Sequence, residues 1–342
     1  MSLWESVRRA GYKSLAVCGM AKNTGKTVTL NHLIEGANRQ GIPLGLTSIG
    51  RDGEAYDVLT FRRKPAVRVE AGCLAATAEM CLGTGTAVLE PLERTRLRTP
   101  LGHVVAVRAE SGGTIELAGP SRLQGLREVV VRLHRLGAEL VLVDGAVDRR
   151  GPASPRVTQG LVLATGAVLA PAMDEVVRIT RLRVAQLQLP AAPGHLESML
   201  SPGFVTLVSG RDIQRIPVAA AMRGALAGRV GRRPGIKVIV GGALTEGLMR
   251  ELGAGGPGQV GISVVVRDAT CVFMEDDLFS RFLKAGGRLE VLEPMQLAGV
   301  TVNPTSPEGP GFDALRFHRA VREALPGVEV YDVVQGYGPS DS

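Results

Sequence analysis

KSLAVCGMAKNTGKTVTLNHLIEGANRQ, residues 13–40, is the stretch that decides the fold of this chain. The apolar run Ser14–Cys18 predicts a buried strand, and the spacing of Leu30, Leu33 and Ala37 predicts a helix over Val28–Gln40. A glycine-containing loop joins the two. A strand, such a loop and a helix in this order form the setting in which a chain binds phosphate through its backbone N–H groups.

The loop Gly19–Thr27, called the glycine loop below, contains the residue types that bind a nucleotide. Gly25 permits close approach of the backbone, Lys26 can reach the β- and γ-phosphates, and Thr27 can place a hydroxyl on Mg²⁺. The first glycine, Gly19, stands one residue further back than in G-x-x-x-x-G-K-[ST], so the loop is longer than usual. For Lys22, a solvated loop lysine is an equal alternative. The predicted nucleotide contacts are Gly19, Lys22, Asn23, Thr24, Gly25, Lys26, Thr27 and Val28.

Carboxylates at the ends of two other predicted strands are the candidates for phosphoryl chemistry. Asp144 follows the apolar run Glu139–Val143, where a metal-holding carboxylate is expected, and a loop-capping role is the alternative. Asp52 and Glu54 follow the strand Pro43–Ile49, and an exposed charged turn is the alternative for both. We therefore predict Lys26, Asp52 and Glu54 as catalytic residues, and Thr27, Asp52 and Asp144 as metal ligands.

The composition argues for a folded α/β protein and against two other classes. The chain has 342 residues, of which 45% are hydrophobic, and no run approaches the roughly 18 apolar residues of a membrane helix, which predicts a cytoplasmic protein with no membrane partner. The net charge of +7 invites a nucleic-acid hypothesis. However, the arginines are scattered and aromatic residues make up only 4%, so we expect no nucleic-acid partner.

Alternating βα segments predict a largely parallel sheet flanked by helices, of the P-loop NTPase type. Residues His103–Ala109 and Thr114–Ala118 alternate around a glycine pair and predict a hairpin insertion. A basic, glycine-rich stretch near residue 230 predicts a domain boundary. We expect a P-loop nucleotide-binding domain over residues 1–230 and a second, C-terminal α/β domain over residues 231–342.

Taken together, several motifs resemble the P-loop subunit of the lysine 5,6-aminomutase reactivase. They are residues 19–30 (GMAKNTGKTVTL), 48–54 (SIGRDGE), 143–146 (VDGA), 164–167 (ATGA) and 301–304 (TVNP). The longer phosphate loop is also similar to that of dethiobiotin synthetases and their relatives. The reactivase resemblance implies binding of ATP and Mg²⁺, a second ATPase-type subunit as partner, and an adenosylcobalamin-dependent aminomutase as client. On that client the factor would exchange damaged cobalamin for fresh cofactor, with ATP hydrolysis coupled to reactivation.

Two other function classes are compatible with the same sequence features. One is an ATP-dependent ligase of the dethiobiotin synthetase or cobyrinate amidase type, which would use the same loop to activate a carboxylate. The other is a nucleotide-gated protein that inserts a metal or cofactor. Cysteines 18, 73, 81 and 271 show no zinc spacing, and none lies in an obvious nucleophile elbow, which speaks against the amidase version.

Overall fold

The fold is taken from a computed structural model, which describes residues 1–52, 66–145, 154–226, 229–230, 235–252, 261–274, 276–307 and 309–341. The chain divides into two compact units. The first combines Met1–Arg181 with Gln296–Ser342, and the second consists of Leu182–Met295. Both contain strands and helices, as the α/β prediction requires.

The helices and strands follow one another along the chain as listed here. The helices are α1 Leu3–Ala10, α2 Lys26–Arg39, α3 Leu123–Arg135, α4 Met173–Leu187, α5 Val218–Ala220, α6 Glu246–Glu251, α7 Asp276–Lys284 and α8 Ala314–Ala324. The first strands are β1 Ser14–Gly19, β2 Leu44–Ser48, β3 Arg51–Asp52, β4 Val67–Val69, β5 Leu74–Ala78, β6 Leu89–Thr99, β7 Gly102–Ala109, β8 Gly113–Ile115, β9 Leu117–Ala118, β10 Leu140–Gly145 and β11 Gly160–Gly166. The remaining strands are β12 Phe204–Ser209, β13 Asp212–Pro217, β14 Lys237–Val240, β15 Leu244–Thr245, β16 Ser263–Val266, β17 Val272–Phe273, β18 Arg288–Val291, β19 Leu297–Asn303 and β20 Val330–Tyr331.

The first unit is built on a large, mostly parallel sheet. Its strand order is β20-β19-β11-β1-β10-β2-β5-β7-β6, and every pairing from β20 to β5 is parallel. Residues of β1, β10 and β11 are buried throughout, because helices cover both faces of the sheet. Strands that are buried on both faces need apolar residues at nearly every position, as these three strands have.

Alternate residues of the central strands face two separate apolar cores. On one face, Leu15 and Val17 of β1 pack in a cluster with Trp4 of α1 and Leu30 and Leu33 of α2. On the other face, a second cluster joins strand β10 to helix α3; it includes Val141, Val143, Leu126, Val129 and Leu133. The period-2 alternation of a strand and the helical spacing of α2 and α3 therefore determine which side chains are buried.

The predicted hairpin is wrong in its strand pairing. β7 pairs antiparallel with β6 before it and with β5 on its other side, so it belongs to the large sheet. The segment after the Ser111–Gly113 turn pairs elsewhere, since β8 joins β4 and β9 joins β3. A local alternation pattern identified β7 correctly but could not reveal that β6, with its charged and exposed residues, is its hairpin partner.

The second unit has its own smaller sheet, with strand order β13-β12-β14-β16-β18. β14, β16 and β18 are parallel, and β12 and β13 form an antiparallel hairpin at one side. Helix α7 buries Phe279 and Phe282. Gly287, just after that helix, packs directly against the Phe282 ring: a Cβ at this position would lie 2.3 Å from the ring.

The compact units do not divide the chain at the predicted boundary near residue 230. That position lies inside the second unit, and the C-terminal segment Gln296–Ser342 belongs to the first. The reason is a long-range pairing: β19 is hydrogen-bonded in parallel to β11, from Leu161 opposite Leu297 to Gly166 opposite Asn303. Within the described part of the chain, we find no helix with the length and apolar character needed to cross a membrane.

Candidate functional site

Neighbouring parallel strands bring the main predicted site residues to one edge of the large sheet. β1 lies between β10 and β11, so that Val17 stands opposite Asp144 and Gly19 opposite Ala164. β2 pairs with the other side of β10, which sets Ser48 opposite Asp144. The carboxyl edge of a parallel sheet is where α/β proteins place their ligands, and the glycine loop leaves β1 at this edge.

The first part of the glycine loop is folded tightly onto the sheet. A Cβ at Gly19 would lie 2.5 Å from the Thr24 hydroxyl, so only glycine fits there. The buried Thr24 side chain donates a hydrogen bond to the Ala21 carbonyl at 3.0 Å. The Met20 N–H donates to the Ala164 carbonyl of β11 at 2.8 Å. Gly19 and Thr24, predicted as ligand contacts, thus shape the loop itself.

The second part of the loop contains two residues in the left-handed backbone region. Asn23 has φ 64°, a conformation that costs most side chains about 1–2 kcal/mol but that asparagine adopts more readily. Gly25 has φ 89° and is the N-cap of α2, with no side-chain hydrogen bond to the cap. Lys26, Thr27 and Val28 follow in the first turn, which has no acidic residue. This helix end suits an anion, since its first N–H groups have no intrahelical acceptors.

Lys26 and Asp144 meet at the site, as the predicted strand and loop positions require. The Lys26 Nζ lies 3.1 Å from Asp144 Oδ1. The Lys26 side chain is 18% exposed and that of Asp144 only 5%, so salt screens this ion pair less than a surface pair. A phosphate that binds Lys26 would share this ammonium group with Asp144, whose negative charge repels the phosphate. The two residues are therefore linked in any binding event here.

Asn303, at the end of β19, contacts the glycine loop. Its Nδ2 donates to the Asn23 carbonyl at 2.9 Å, and a Cβ at Gly25 would lie 3.2 Å from Asn303 Cβ. Gly166 of β11 is equally close, since a Cβ there would lie 2.8 Å from the Asn303 carbonyl oxygen. An asparagine at a strand end could also contact a nucleotide base, although the pair Asn303-Pro304 is primarily a turn initiator.

The second-strand candidates are described only in part. Asp52 lies in β3, where its backbone pairs with Leu117 of β9, and its side chain lies outside the description. Glu54 falls outside the described residues. Ser48, the residue of β2 opposite Asp144, has its hydroxyl 3.0 Å from the Leu117 carbonyl and accepts from the Gly119 N–H at 3.2 Å. That hydroxyl therefore ties β2 to β9.

Other titratable residues form no second centre in the described part of the chain. No group of three or more His, Cys, Asp or Glu side chains in those segments could hold a metal ion. Burial raises the pKa of the Cys73 thiol to about 12, so this cysteine is a poor nucleophile at neutral pH. Lys22 is exposed on the glycine loop, which is compatible with a solvated loop lysine.

The geometry brings together Gly19, Asn23, Gly25, Lys26 and Asp144, and it adds a residue whose contact was not foreseen, Asn303. The sequence signal for Asn303 is its place at the end of an apolar strand, since loops at strand ends gather around ligands. Its bond to Asn23 spans 280 positions of sequence, and no local pattern encodes such a contact. Comparisons with protein-family models, with curated proteins and with solved structures found no match to this chain.

Proposed function

We propose that this chain binds a magnesium nucleoside triphosphate at the glycine loop, as a protein of the P-loop NTPase type does. The observation that carries the proposal is the meeting of Lys26 and Asp144 beside a loop whose Asn23 and Gly25 adopt left-handed conformations. A cation and a carboxylate at the N-terminus of an uncapped helix are the groups that phosphate and its metal need.

Each residue has a distinct role in this proposal. Lys26 binds the β- and γ-phosphate oxygens, and the N–H groups of the loop and of the first turn of α2 surround the phosphates. Thr27 and Asp144 offer a hydroxyl and a carboxylate, the oxygen donors that Mg²⁺ prefers, so the donor set fits this metal. When bound, Mg²⁺ would neutralise charge on the phosphates. Asp52 and Glu54 remain candidates for orienting the attacking water.

The Lys26–Asp144 ion pair fits the same proposal, because phosphate binding would draw Lys26 away from the carboxylate. Asp144 would then be available to the metal as the nucleotide arrives. We propose ATP as the nucleotide on the strength of the reactivase resemblance, since the sequence shows no N-K-x-D signature for a guanine base.

The resemblance extends the proposal to a biological role. We infer that the chain is the ATP-binding subunit of a cytoplasmic factor that reactivates an adenosylcobalamin-dependent lysine 5,6-aminomutase, together with a second ATPase-type subunit. Such a factor works by population shift: one nucleotide state must bind an open, cofactor-releasing form of the client more tightly than its closed form.

The test is recovery of activity by an aminomutase that was inactivated during turnover. Recovery should require this chain, the second subunit, Mg-ATP and adenosylcobalamin together, and it should fail with Lys26→Ala or without ATP. Recovery that does not depend on this chain would exclude the reactivase role. ATP-dependent carboxylation of a diamine by the chain alone would favour a ligase instead.

A further inference from the structure

We propose that Asn303 is a positioning residue that holds the glycine loop in the conformation that binds phosphate. This inference rests on the proposed nucleotide function and concerns the support of the same site. The Asn303 Nδ2 donates to the Asn23 carbonyl at 2.9 Å, so the side chain of β19 acts directly on the backbone of the loop.

The bond falls at the point where the loop needs support. Asn23 is the non-glycine residue with a positive φ, 64°, among the residues that the structure describes. A left-handed conformation persists where the surroundings hold it in place. The hydrogen bond from Asn303 is such a restraint. Gly25, two residues on, is also left-handed, and its Cα faces the Asn303 side chain.

Close packing fixes Asn303 between the loop and the sheet. A Cβ at Gly25 would lie 3.2 Å from Asn303 Cβ, and a Cβ at Gly166 would lie 2.8 Å from the Asn303 carbonyl oxygen. Gly166 also approaches the loop, since its Cβ would lie 3.4 Å from Thr24 Cα. Three backbone segments therefore meet at Asn303: a Cβ at Gly166 would overlap its carbonyl oxygen, and a Cβ at Gly25 would press against its side chain.

The other end of the Asn303 amide is also engaged. Its Oδ1 accepts from the Thr305 hydroxyl at 2.8 Å and from the Thr305 N–H at 3.2 Å. Because both ends of the amide have protein partners, its orientation is fixed toward Asn23. A contact to a nucleotide base would have only the second N–H of Nδ2 to use, because the first N–H and both lone pairs of Oδ1 have protein partners, so support of the loop is the better assignment.

The experiment compares ligands with and without a base. Asn303→Ala removes the side-chain bonds, and Asn303→Leu removes them while keeping a branched side chain of similar shape. Affinities are measured for Mg-ATP, Mg-GTP and inorganic tripolyphosphate. We expect both variants to bind all three ligands about threefold to tenfold more weakly than the wild type, by similar factors, since the loss of one hydrogen bond has this magnitude.

Asn31→Ala is the matched control. Asn31 also bonds backbone groups through both ends of its amide, to the Ala66 carbonyl at 2.9 Å and the Arg68 N–H at 3.0 Å, but it lies further along α2. Its loss should leave all three affinities within about twofold of the wild type. Thermal unfolding of each variant is recorded alongside, so that a change in affinity can be compared with a change in stability.

Two results would overturn the inference while the proposed function stands. One is wild-type affinity in both Asn303 variants, which would show that Asn303 does not hold the loop in its phosphate-binding conformation. The other is a loss confined to one nucleotide with tripolyphosphate spared, which would make Asn303 a base contact. If the wild type binds none of the three ligands, the proposed nucleotide function itself fails, and the two failures are thereby distinguished.

Discussion

At the residue scale, the ion pair between Lys26 and Asp144 determines how nucleotide and metal would bind. The Lys26 Nζ and the Asp144 Oδ1 lie 3.1 Å apart, and both side chains are largely buried. Phosphate and Mg²⁺ would each take one member of the pair, so the binding of one should favour the binding of the other. This linkage follows from competition for shared groups and needs no conformational change elsewhere.

Asp144→Asn should separate nucleotide binding from metal dependence. The variant releases Lys26 from the ion pair, so we expect its affinity for metal-free ATP to equal that of the wild type or exceed it by up to about tenfold. Its gain in affinity on addition of Mg²⁺, and its rate of hydrolysis, should both fall. Binding assays in EDTA and in Mg²⁺, with a phosphate-release assay, measure these effects. An unchanged metal dependence and hydrolysis rate would show that Asp144 only ends a strand.

The sequence predicts individual site residues where a local motif includes the reactive side chain. The glycine loop with Lys26 leaves the end of β1, Asp144 lies near the end of β10, and parallel strands end at the same edge of the sheet, so their proximity could be predicted. Asn303 follows a strand too, but its bond to Asn23 depends on how the side chain packs. Packing of that kind is set by the folded neighbours, which the sequence pattern does not display.

At the element scale, helix α2 has a left-handed glycine at each end. Gly25, with φ 89°, begins the helix and faces Asn303, whereas Gly41, with φ 64°, follows its end and has open space around its Cα. Both glycines are needed for backbone conformation, but only Gly25 lies in the proposed site. Substitutions at the two glycines therefore distinguish an effect on helix stability from an effect on the glycine loop.

Gly25→Ala and Gly41→Ala should differ in ligand affinity more than in stability. Each variant places a Cβ in the left-handed region, which we expect to lower the free energy of unfolding by about 1–2 kcal/mol. Only Gly25→Ala also displaces Asn303 and disturbs the first turn of α2, so it alone should lose nucleotide affinity. Urea unfolding and equilibrium binding give the two quantities. Equal affinities in the two variants would place the phosphate site elsewhere.

Most elements of the parallel sheet were predicted within a few residues, because buried strands and amphipathic helices have clear periods. Helix α1 was missed although Ser2 and Glu5 form a capping box, a signature that can be read from sequence. Strand β6 was missed for a physical reason. It is an edge strand with charged side chains and Pro91, and such residues protect an exposed edge while hiding its strand character.

At the scale of the whole molecule, the first unit is assembled from two distant parts of the chain. β19 and β20 extend the sheet beyond β11, although the second unit, Leu182–Met295, lies between β11 and β19 in the chain. The glycine-rich stretch near residue 230 predicted a boundary from local composition. The pairing of β19 with β11 joins segments that are far apart in sequence. It is stabilised by hydrogen bonds and burial in the folded sheet, and no local sequence signal indicates it.

A fragment of residues 1–230, cut at the predicted boundary, should not fold as a stable nucleotide-binding domain. It lacks β19 and β20, so the buried strand β11 would become an exposed apolar edge, and the loop would lose Asn303. We expect aggregation or a non-cooperative thermal transition, measured by size-exclusion chromatography and circular dichroism. A monomeric fragment that unfolds cooperatively and binds Mg-ATP would show that the C-terminal strands are dispensable.

Binding of Mg-nucleotide through Lys26 is the central requirement of the proposed function. Isothermal titration with Mg²⁺ and ATPγS, a slowly hydrolysed ATP analogue, should show saturable binding to the wild type and none to Lys26→Ala. Lys13→Ala is the control: it removes the same charge from an exposed lysine just before β1, at the opposite edge of the sheet, and should bind as the wild type does. Equal affinity of the wild type and Lys26→Ala, with both proteins folded, would contradict the account.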